Sequence, residues 1–274
     1  MTEIWFYTIA STLAISLISF SGVVFVAFKP KILKQIVFLL ISFAVGALFG
    51  NAFFVLIPES YHLIENEKLV GLLLVAGIIF MFILEKFIHW RHNHFPKFNK
   101  NEAPLGYISL VTDSLHNFTD GILIAAAWMT SPEIGMATTI AVILHEVPQE
   151  ISDFAVLLHA GFNRRKALWL NFMSACTAIL GATLTLSLGY FTNIVSIYIL
   201  PFAAGGFIYL AACDLIPELH REKSTKKNLI QLSSILVGLA LIFMINNSKA
   251  HNHNVGTPAV TEQTECNEPH DHEH

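Results

Sequence analysis

Ionisable side chains are scarce in this chain. Asp, Glu, Lys and Arg make up only 13% of its 274 residues, whereas 54% of the residues are hydrophobic and the mean hydropathy is +0.59. Soluble domains carry about a quarter of charged residues, so this composition excludes an ordinary soluble domain. It indicates an integral membrane protein whose main surroundings are the lipid bilayer, and we expect no nucleic-acid partner.

Cysteine is equally sparse, and a basic N-terminal segment is missing. Cys176, Cys213 and Cys266 show no CxxC spacing, which argues against a disulfide framework and against a zinc finger. The chain opens Met-Thr-Glu-Ile-Trp and its first apolar run continues to Phe28. Such a run is too long for a signal peptide and lacks the basic start, so we expect a first span that is retained.

Long apolar runs predict an all-α, polytopic membrane protein with eight transmembrane helices, because about 20 apolar residues make one crossing. The predicted spans are residues 4–28, 35–57, 69–88, 105–129, 134–158, 167–190, 194–217 and 228–247. The weakest division is the sixth from the seventh, where only Thr192-Asn193 suggests a turn. Residues 1–247 would form one membrane domain, and residues 248–274, polar and rich in His and acids, a disordered tail.

The basic residues separate the two sides of the predicted membrane domain. With eight spans, 14 of the 16 Lys and Arg residues fall on one side, which leaves Lys68 and Lys249 on the other. Basic loops favour the cytoplasm, so both termini are expected outside it, in a plasma or inner membrane. There the tail would collect dilute cations through its histidines and acids.

Two stretches of the chain resemble each other. Residues 46–59 align without gaps to residues 205–218, and both stretches close on Leu-Ile-Pro-Glu. The second span would run outward and the seventh inward, so the similarity predicts an inverted repeat of spans 1–3 and 6–8 around spans 4 and 5. Many secondary transporters are built this way, with a site at mid-membrane. Chance recurrence of a Pro-Glu helix end remains the alternative.

Positive charge is absent where polar groups line up. No Lys or Arg occurs between Lys100 and Arg164, yet one face of each helix in that stretch is polar at the helical repeat. The fourth span carries Asp113, His116, Asn117 and Asp120, and the fifth carries His145, Glu146, Gln149, Glu150 and Asp153. An ionised group in lipid costs roughly 2.5–3.5 kcal/mol. Protons, a distant basic residue or a mobile cation must therefore neutralise these carboxylates.

The residue types in the two stripes favour a divalent metal ion. Imidazole, carboxylate and amide groups suit Zn²⁺, Fe²⁺ and Mn²⁺, and the lack of thiols argues against Cu(I). A lone intramembrane His or Asn can also serve as a hydrogen-bonding group between helices, but so many in register on two neighbouring spans indicate a metal site. Asp113 and Asp153, at the ends of the stripes, fit entry or gate residues, or solvated carboxylates, as well as ligands.

These stripes resemble the signature of the ZIP (Zrt/Irt-like) metal transporters. The matching motifs are His116-Asn117-x-x-Asp120-Gly121 and His145-Glu146-x-Pro148-Gln149-Glu150. The similarity runs to about residue 247, and it implies a transporter, not an enzyme, that brings Zn²⁺, or else Fe²⁺, Mn²⁺ or Cd²⁺, into the cytoplasm. The metal is then the substrate, and no catalytic cofactor is expected. A homodimer is a further suggestion of the resemblance.

Carried over by position, the resemblance makes six residues metal ligands: His116, Asn117, Asp120, His145, Glu146 and Gln149. Glu150 is a candidate to substitute for Gln149, where many relatives have His or Glu. Some relatives also have a carboxylate on the sixth span, where this chain offers Asn171 and Ser174. One metal ion or two are therefore both open.

Histidines also gather in the loop after the third predicted span. His89, His92 and His94 would lie on the cytoplasmic side, where they would capture metal that leaves the pathway. Irregularly spaced histidines of this kind also occur in ordinary solvated loops.

Two other functions fit parts of the sequence. His145-Glu146-x-x-Gln149 differs at one position from the His-Glu-x-x-His pattern of zinc hydrolases, which suggests an intramembrane zinc-dependent hydrolase. That position is the second metal ligand of the pattern, so its loss counts against hydrolysis. A metal-sensing membrane protein without flux is the other alternative, and a transport assay separates it from a transporter.

Overall fold

A computed structural model of the chain describes residues 2–23, 29–94, 103–189, 194–220 and 224–247. Within these ranges every regular element is helical. A membrane-spanning segment favours the helix because lipid offers no hydrogen-bond partners, so each backbone group must be satisfied inside the protein. The all-α fold that the composition predicts is therefore present.

Within the described ranges, the helical segments join into eight long helical rods, numbered here α1 to α8. They are α1 (Thr2–Ile18 with the turn Ser19–Ser21), α2 (Pro30–Gly50, Asn51–Leu56 and Ile57–Leu63), α3 (Glu67–His94), α4 (Ala103–Thr130), α5 (Pro132–His159), α6 (Arg164–Ala175 and Thr177–Gly189), α7 (Ile194–Tyr209, Leu210–Leu215 and Ile216–Leu219) and α8 (Thr225–Asn247). Each rod overlaps one predicted span. Residues 24–28, the predicted turn at 192–193 and the predicted tail, 248–274, lie outside the described residues.

Six of the eight described rods are strongly apolar, and the other two are more polar. In the described ranges, α1, α2, α3, α6, α7 and α8 are long and apolar enough to cross a membrane. The polar stripes lower the hydropathy of α4 and α5, which do not reach that level alone. These two rods lie inside the bundle, and between them they contact all six apolar rods. The protein is thus an integral membrane protein that holds its polar residues at its centre.

The two stretches that resemble each other in sequence also share local structure. A Cβ added to Gly46 on α2 would lie 2.0 Å from a carbonyl oxygen of α8, and one added to Gly205 on α7 would lie 2.0 Å from a carbonyl oxygen of α3. Five residues after each glycine the helix widens to π-helical turns, Asn51–Leu56 and Leu210–Leu215. Equivalent positions of the two stretches thus have similar local conformations, and the inverted repeat of spans 1–3 and 6–8 stays a prediction.

A proline, Pro58 or Pro217, lies two residues after the end of each π-helical stretch. Pro58 has no N–H to donate to the carbonyl of Phe54 four residues earlier. That carbonyl instead accepts a hydrogen bond from the Asn246 side chain of α8, at 3.0 Å. The neighbouring helix α8 therefore provides a hydrogen bond to a backbone carbonyl that Pro58 leaves without its usual helical donor.

Small polar side chains fix the position of α5 against its neighbours. The indole N–H of Trp128 on α4 lies 3.1 Å from the hydroxyl oxygens of both Ser11 and Thr139. One residue away, the Asn51 amide of α2 donates to Thr138 at 3.1 Å. Because Thr138 and Thr139 lie within two turns of His145, these contacts help to hold the helix that carries it.

Replacing Gly77 with alanine is expected to destabilise the protein. Its added Cβ would lie 2.0 Å from the carbonyl oxygen of Phe202, so α3 and α7 would have to separate, at a cost of about 1–3 kcal/mol. Gly71, on the same helix, has nothing within 4 Å of an added Cβ, and Gly71→Ala should gain up to about 1 kcal/mol from helix propensity. Thermal unfolding of both variants in detergent checks this, and equal midpoints would contradict the tight crossing.

Candidate metal centre

The polar stripes of α4 and α5 face each other in antiparallel register. His116 Nε2 lies 3.2 Å from Glu146 Oε1, and one turn further along α4 Asp120 Oδ2 lies 3.2 Å from His145 Nε2. The helical repeat places each set on one side of its helix. The packing of the two helices then places one polar side against the other.

Four side-chain atoms converge on one point between the helices. They are Nε2 of His116, Nε2 of His145 and one carboxylate oxygen each of Asp120 and Glu146, all within 4.8 Å of one another. Five of their six separations lie between 3.2 and 3.7 Å. Tetrahedral zinc with bonds of about 2.0–2.2 Å needs ligand separations of about 3.3–3.6 Å. Five of the six separations are therefore close to those of a tetrahedral ligand set.

A backbone contact orients the His145 ring. Its Nδ1 lies 3.1 Å from the carbonyl oxygen of Ala141, one turn earlier. A carbonyl only accepts hydrogen bonds, so Nδ1 carries the proton and Nε2 presents its lone pair to the centre. Metal-binding histidines characteristically use their second nitrogen in this way. The ring is thus held in the form that a cation requires.

The centre is negatively charged and deeply buried. His116 is 6% exposed, His145 2%, and Asp120 and Glu146 are fully buried. Apart from the His116 and His145 rings, no described residue offers either carboxylate a hydrogen-bond donor, and no described Lys or Arg lies within 4 Å of either one. Two carboxylates and two neutral imidazoles sum to −2, a charge that one divalent cation neutralises. Without it, the desolvated carboxylates would cost several kcal/mol.

A second group of carboxylates is held by neutral donors. Asp113 accepts hydrogen bonds from the Asn117 amide, at 2.9 Å, and from the Ser174 hydroxyl of α6. Glu150 accepts from the Asn171 amide of α6. Two polar residues of the sixth span, Asn171 and Ser174, thus position carboxylates of α4 and α5. One oxygen each of Asn117, Glu150 and Asn171 still lacks a donor in the described part of the chain.

The far end of the α5 stripe is also hydrogen-bonded. Asp153 accepts from the Ser109 hydroxyl of α4 at 3.0 Å. Ser109 was not among the predicted site residues, although it lies one turn before Asp113 and so belongs to the polar face of α4. Gln149 is half-buried on α5 and belongs to the same stripe.

The predicted histidine loop is only partly described. The backbone of His89, His92 and His94 continues the last turns of α3, but their side chains lie outside the described residues. Metal capture there stays a prediction.

Close packing of α6 brings its polar residues to the stripe. A Cβ added to Gly121 on α4 would lie 1.9 Å from the carbonyl oxygen of Ala178, and one added to Gly181 on α6 would lie 2.1 Å from that of Phe118. Two glycines thus allow the helices to touch backbone to backbone. Gly121, which follows Asp120 in the motif, serves this contact.

The sequence of the chain matches one known protein family over nearly all of the described residues. The family described as ZIP zinc transporter matches residues 2–105 and 99–246. The chain belongs to the ZIP family. Divalent metal transport is accordingly the class of activity that its membership and its His, Asp and Glu cluster support.

Curated ZIP proteins resemble the chain over most of its length. Zinc transporter ZIP13 of Pongo abelii is 32% identical over 222 residues, which cover 76% of this chain and 66% of that protein. ZIP13 of Mus musculus is 30% identical and covers 76% and 69%. Zinc transporter SLC39A7 of Mus musculus is 28% identical and covers 88% and 70%. The chain thus spans about two thirds of the length of the ZIP relatives that it matches.

Proposed function

We propose that the chain imports a divalent cation into the cytoplasm, Zn²⁺ first and Fe²⁺ or Mn²⁺ as alternatives, through the centre between α4 and α5. One observation carries the proposal: two imidazole nitrogens and two carboxylate oxygens lie buried within 4.8 Å of one another, with no fixed cation to neutralise the carboxylates. Zn²⁺ accepts such nitrogen and oxygen ligands and prefers four of them.

The predicted residues then take different roles. His116, Asp120, His145 and Glu146 hold the ion at the centre. Asn117, Gln149 and Glu150 are the next available ligands as the ion moves, and Asp113 and Asp153 form the gate at the end of the stripe. These three groups follow one another along α4 and α5 from the middle of the bundle outward.

The outer carboxylates mark the direction of travel. Asp113 lies seven residues before Asp120 on α4, which corresponds to about 10 Å along a helix. Neutral donors from Asn117, Asn171 and Ser174 hold this group without cancelling its charge. The ends of α4 and α5 that it approaches adjoin the basic loops that we place in the cytoplasm. An ion leaving the centre by this route would enter the cytoplasm.

Membrane voltage favours import in this orientation. A potential of 100 mV, negative inside, is worth about 2.3 kcal/mol per charge, or about 4.6 kcal/mol for a divalent ion. We place both termini outside the cytoplasm, the protein in a plasma or inner membrane, and a homodimer as its assembly.

Entry of radiolabelled Zn²⁺, Fe²⁺ and Mn²⁺ into proteoliposomes tests the proposal. We expect saturable Zn²⁺ entry that speeds up when the compartment facing the basic loops is made negative, and slower entry of the other two ions. Empty liposomes and liposomes with heat-unfolded protein give the background. Tight Zn²⁺ binding with no entry would instead identify a sensor, and release of peptide or lipid fragments a hydrolase.

A further inference from the structure

A cleft opens between the first turns of α2 and α8, away from the metal centre. Its volume is about 360 Å³, and it is lined by Lys31, Lys34, Gln35, Phe38, Leu39, Lys227 and Ile230. The two helices run parallel: Gly46 packs near Ile235 and Leu239, whereas Gly50 packs near Ile242. Their N-terminal ends, and the lysines on them, therefore lie at the same face of the membrane.

The lining of the cleft changes from charged to apolar residues along α2 and α8. After Lys34, α2 contains no charged residue before Glu59, and after Lys227, α8 contains none through Asn247. The three lysines thus stand where each helix enters lipid, at the depth of phospholipid head groups. Phe38 lies about one turn deeper than Lys34, at the depth where acyl chains begin.

The lining pairs three positive charges with an apolar wall. Lys31 and Lys34 are exposed, and neither forms an ion pair with another described residue. Leu39 and Ile230 are 41% and 50% exposed, so an apolar surface continues below the charges. A second copy of the chain would bring like charges together here, which disfavours it as the occupant.

We propose that this cleft binds one anionic glycerophospholipid. The lysines of α2 and α8 hold its phosphate, and Phe38, Leu39 and Ile230 contact the start of its acyl chains. Basic pockets between transmembrane helices bind anionic head groups in this way. The lipid bridges the N-terminal ends of α2 and α8. Deeper in the bundle the same two helices are in close contact at Gly46 and Gly238.

The test compares lipids on the full chain purified in neutral detergent. Phosphatidylglycerol is expected to raise the thermal midpoint and to survive as one bound lipid in native mass spectrometry, whereas phosphatidylcholine of the same chains is not. Lys31→Gln, Lys34→Gln and Lys227→Gln combined should weaken the binding at least tenfold. Lys226→Gln, next in sequence but outside the lining, should leave it unchanged.

Two further arms separate the lipid from simpler ligands. Glycerol 3-phosphate carries the charge without acyl chains and should give no shift, and Ile230→Ser should weaken phosphatidylglycerol binding with all lysines present. Equal binding of the two lipids, an unaffected triple variant, or a full effect of glycerol 3-phosphate would each overturn the proposal. The lysines lie far from the metal residues, so Zn²⁺ binding in the triple variant shows that the protein is folded.

Discussion

Replacing His145 with alanine is expected to abolish zinc entry. Its Nε2 lies within 3.4 Å of both His116 Nε2 and Glu146 Oε1 and within 3.2 Å of Asp120 Oδ2, so its loss removes one corner of the tetrahedral set. Outer-shell partners of metal ligands are worth about 10–100-fold in affinity, and a direct ligand should be worth at least about 100-fold. Initial rates of ⁶⁵Zn²⁺ entry into proteoliposomes measure the effect.

His62 provides the matched control for this variant. It is an exposed histidine on α2, outside the polar stripes, and His62→Ala should transport like the unaltered protein. His116→Ala should fail as His145→Ala does, and the double variant should be no worse than either one, because the set acts as a unit. Zinc entry above half the normal rate in either single variant would refute the centre as we describe it.

Replacing Glu146 with glutamine is expected to move stability and transport in opposite directions. Only the neutral rings of His116 and His145 face this fully buried carboxylate, at 3.2 and 3.4 Å, and no other described residue donates a hydrogen bond to it. An amide of the same shape removes the desolvated charge, so the metal-free protein should gain about 1–3 kcal/mol. At about 2–4 °C per kcal/mol, the thermal midpoint should rise by several degrees, while zinc entry falls to background.

Thermal unfolding with and without zinc separates the two effects. Zinc should raise the midpoint of the unaltered protein, since a ligand that binds only the folded state stabilises it, and should leave that of Glu146→Gln nearly unchanged. Glu65→Gln alters an exposed carboxylate outside the stripes and should preserve the zinc response. If metal-free Glu146→Gln unfolded at a lower temperature than the unaltered protein, the carboxylate would be stabilised by a partner within the protein and would not need a cation to neutralise it.

The sequence is informative about the centre because its evidence is local. Spacings of three, four and seven residues place Asp113, His116 and Asp120 on one side of α4 whatever the rest of the fold does. The absence of Lys and Arg from the same stretch indicates that the charge is left for a mobile ion. Helix positions follow similarly from apolar length, and α2 continues to Leu63, beyond the predicted residue 57, because Glu59 and His62 can lie at the surface.

Tertiary contacts were harder to predict. No local pattern shows that Asn171 and Ser174 donate to carboxylates on two other helices, because this depends on how closely α4 and α6 approach at Gly121 and Gly181. The pairing of His116 with Glu146 likewise depends on the relative shift of α4 and α5 along their axes. The helical repeat within each helix does not determine this shift. The only local sequence signal for each π-helical stretch was the proline that follows it.

Zinc K-edge X-ray absorption on the protein loaded with one equivalent of Zn²⁺ tests the centre most directly. We predict four nitrogen or oxygen ligands at about 2.0 Å, two of them imidazoles, no sulfur, and one imidazole fewer in His116→Ala. Six-coordinate zinc, a sulfur ligand, or a spectrum that His116→Ala leaves unchanged would contradict it.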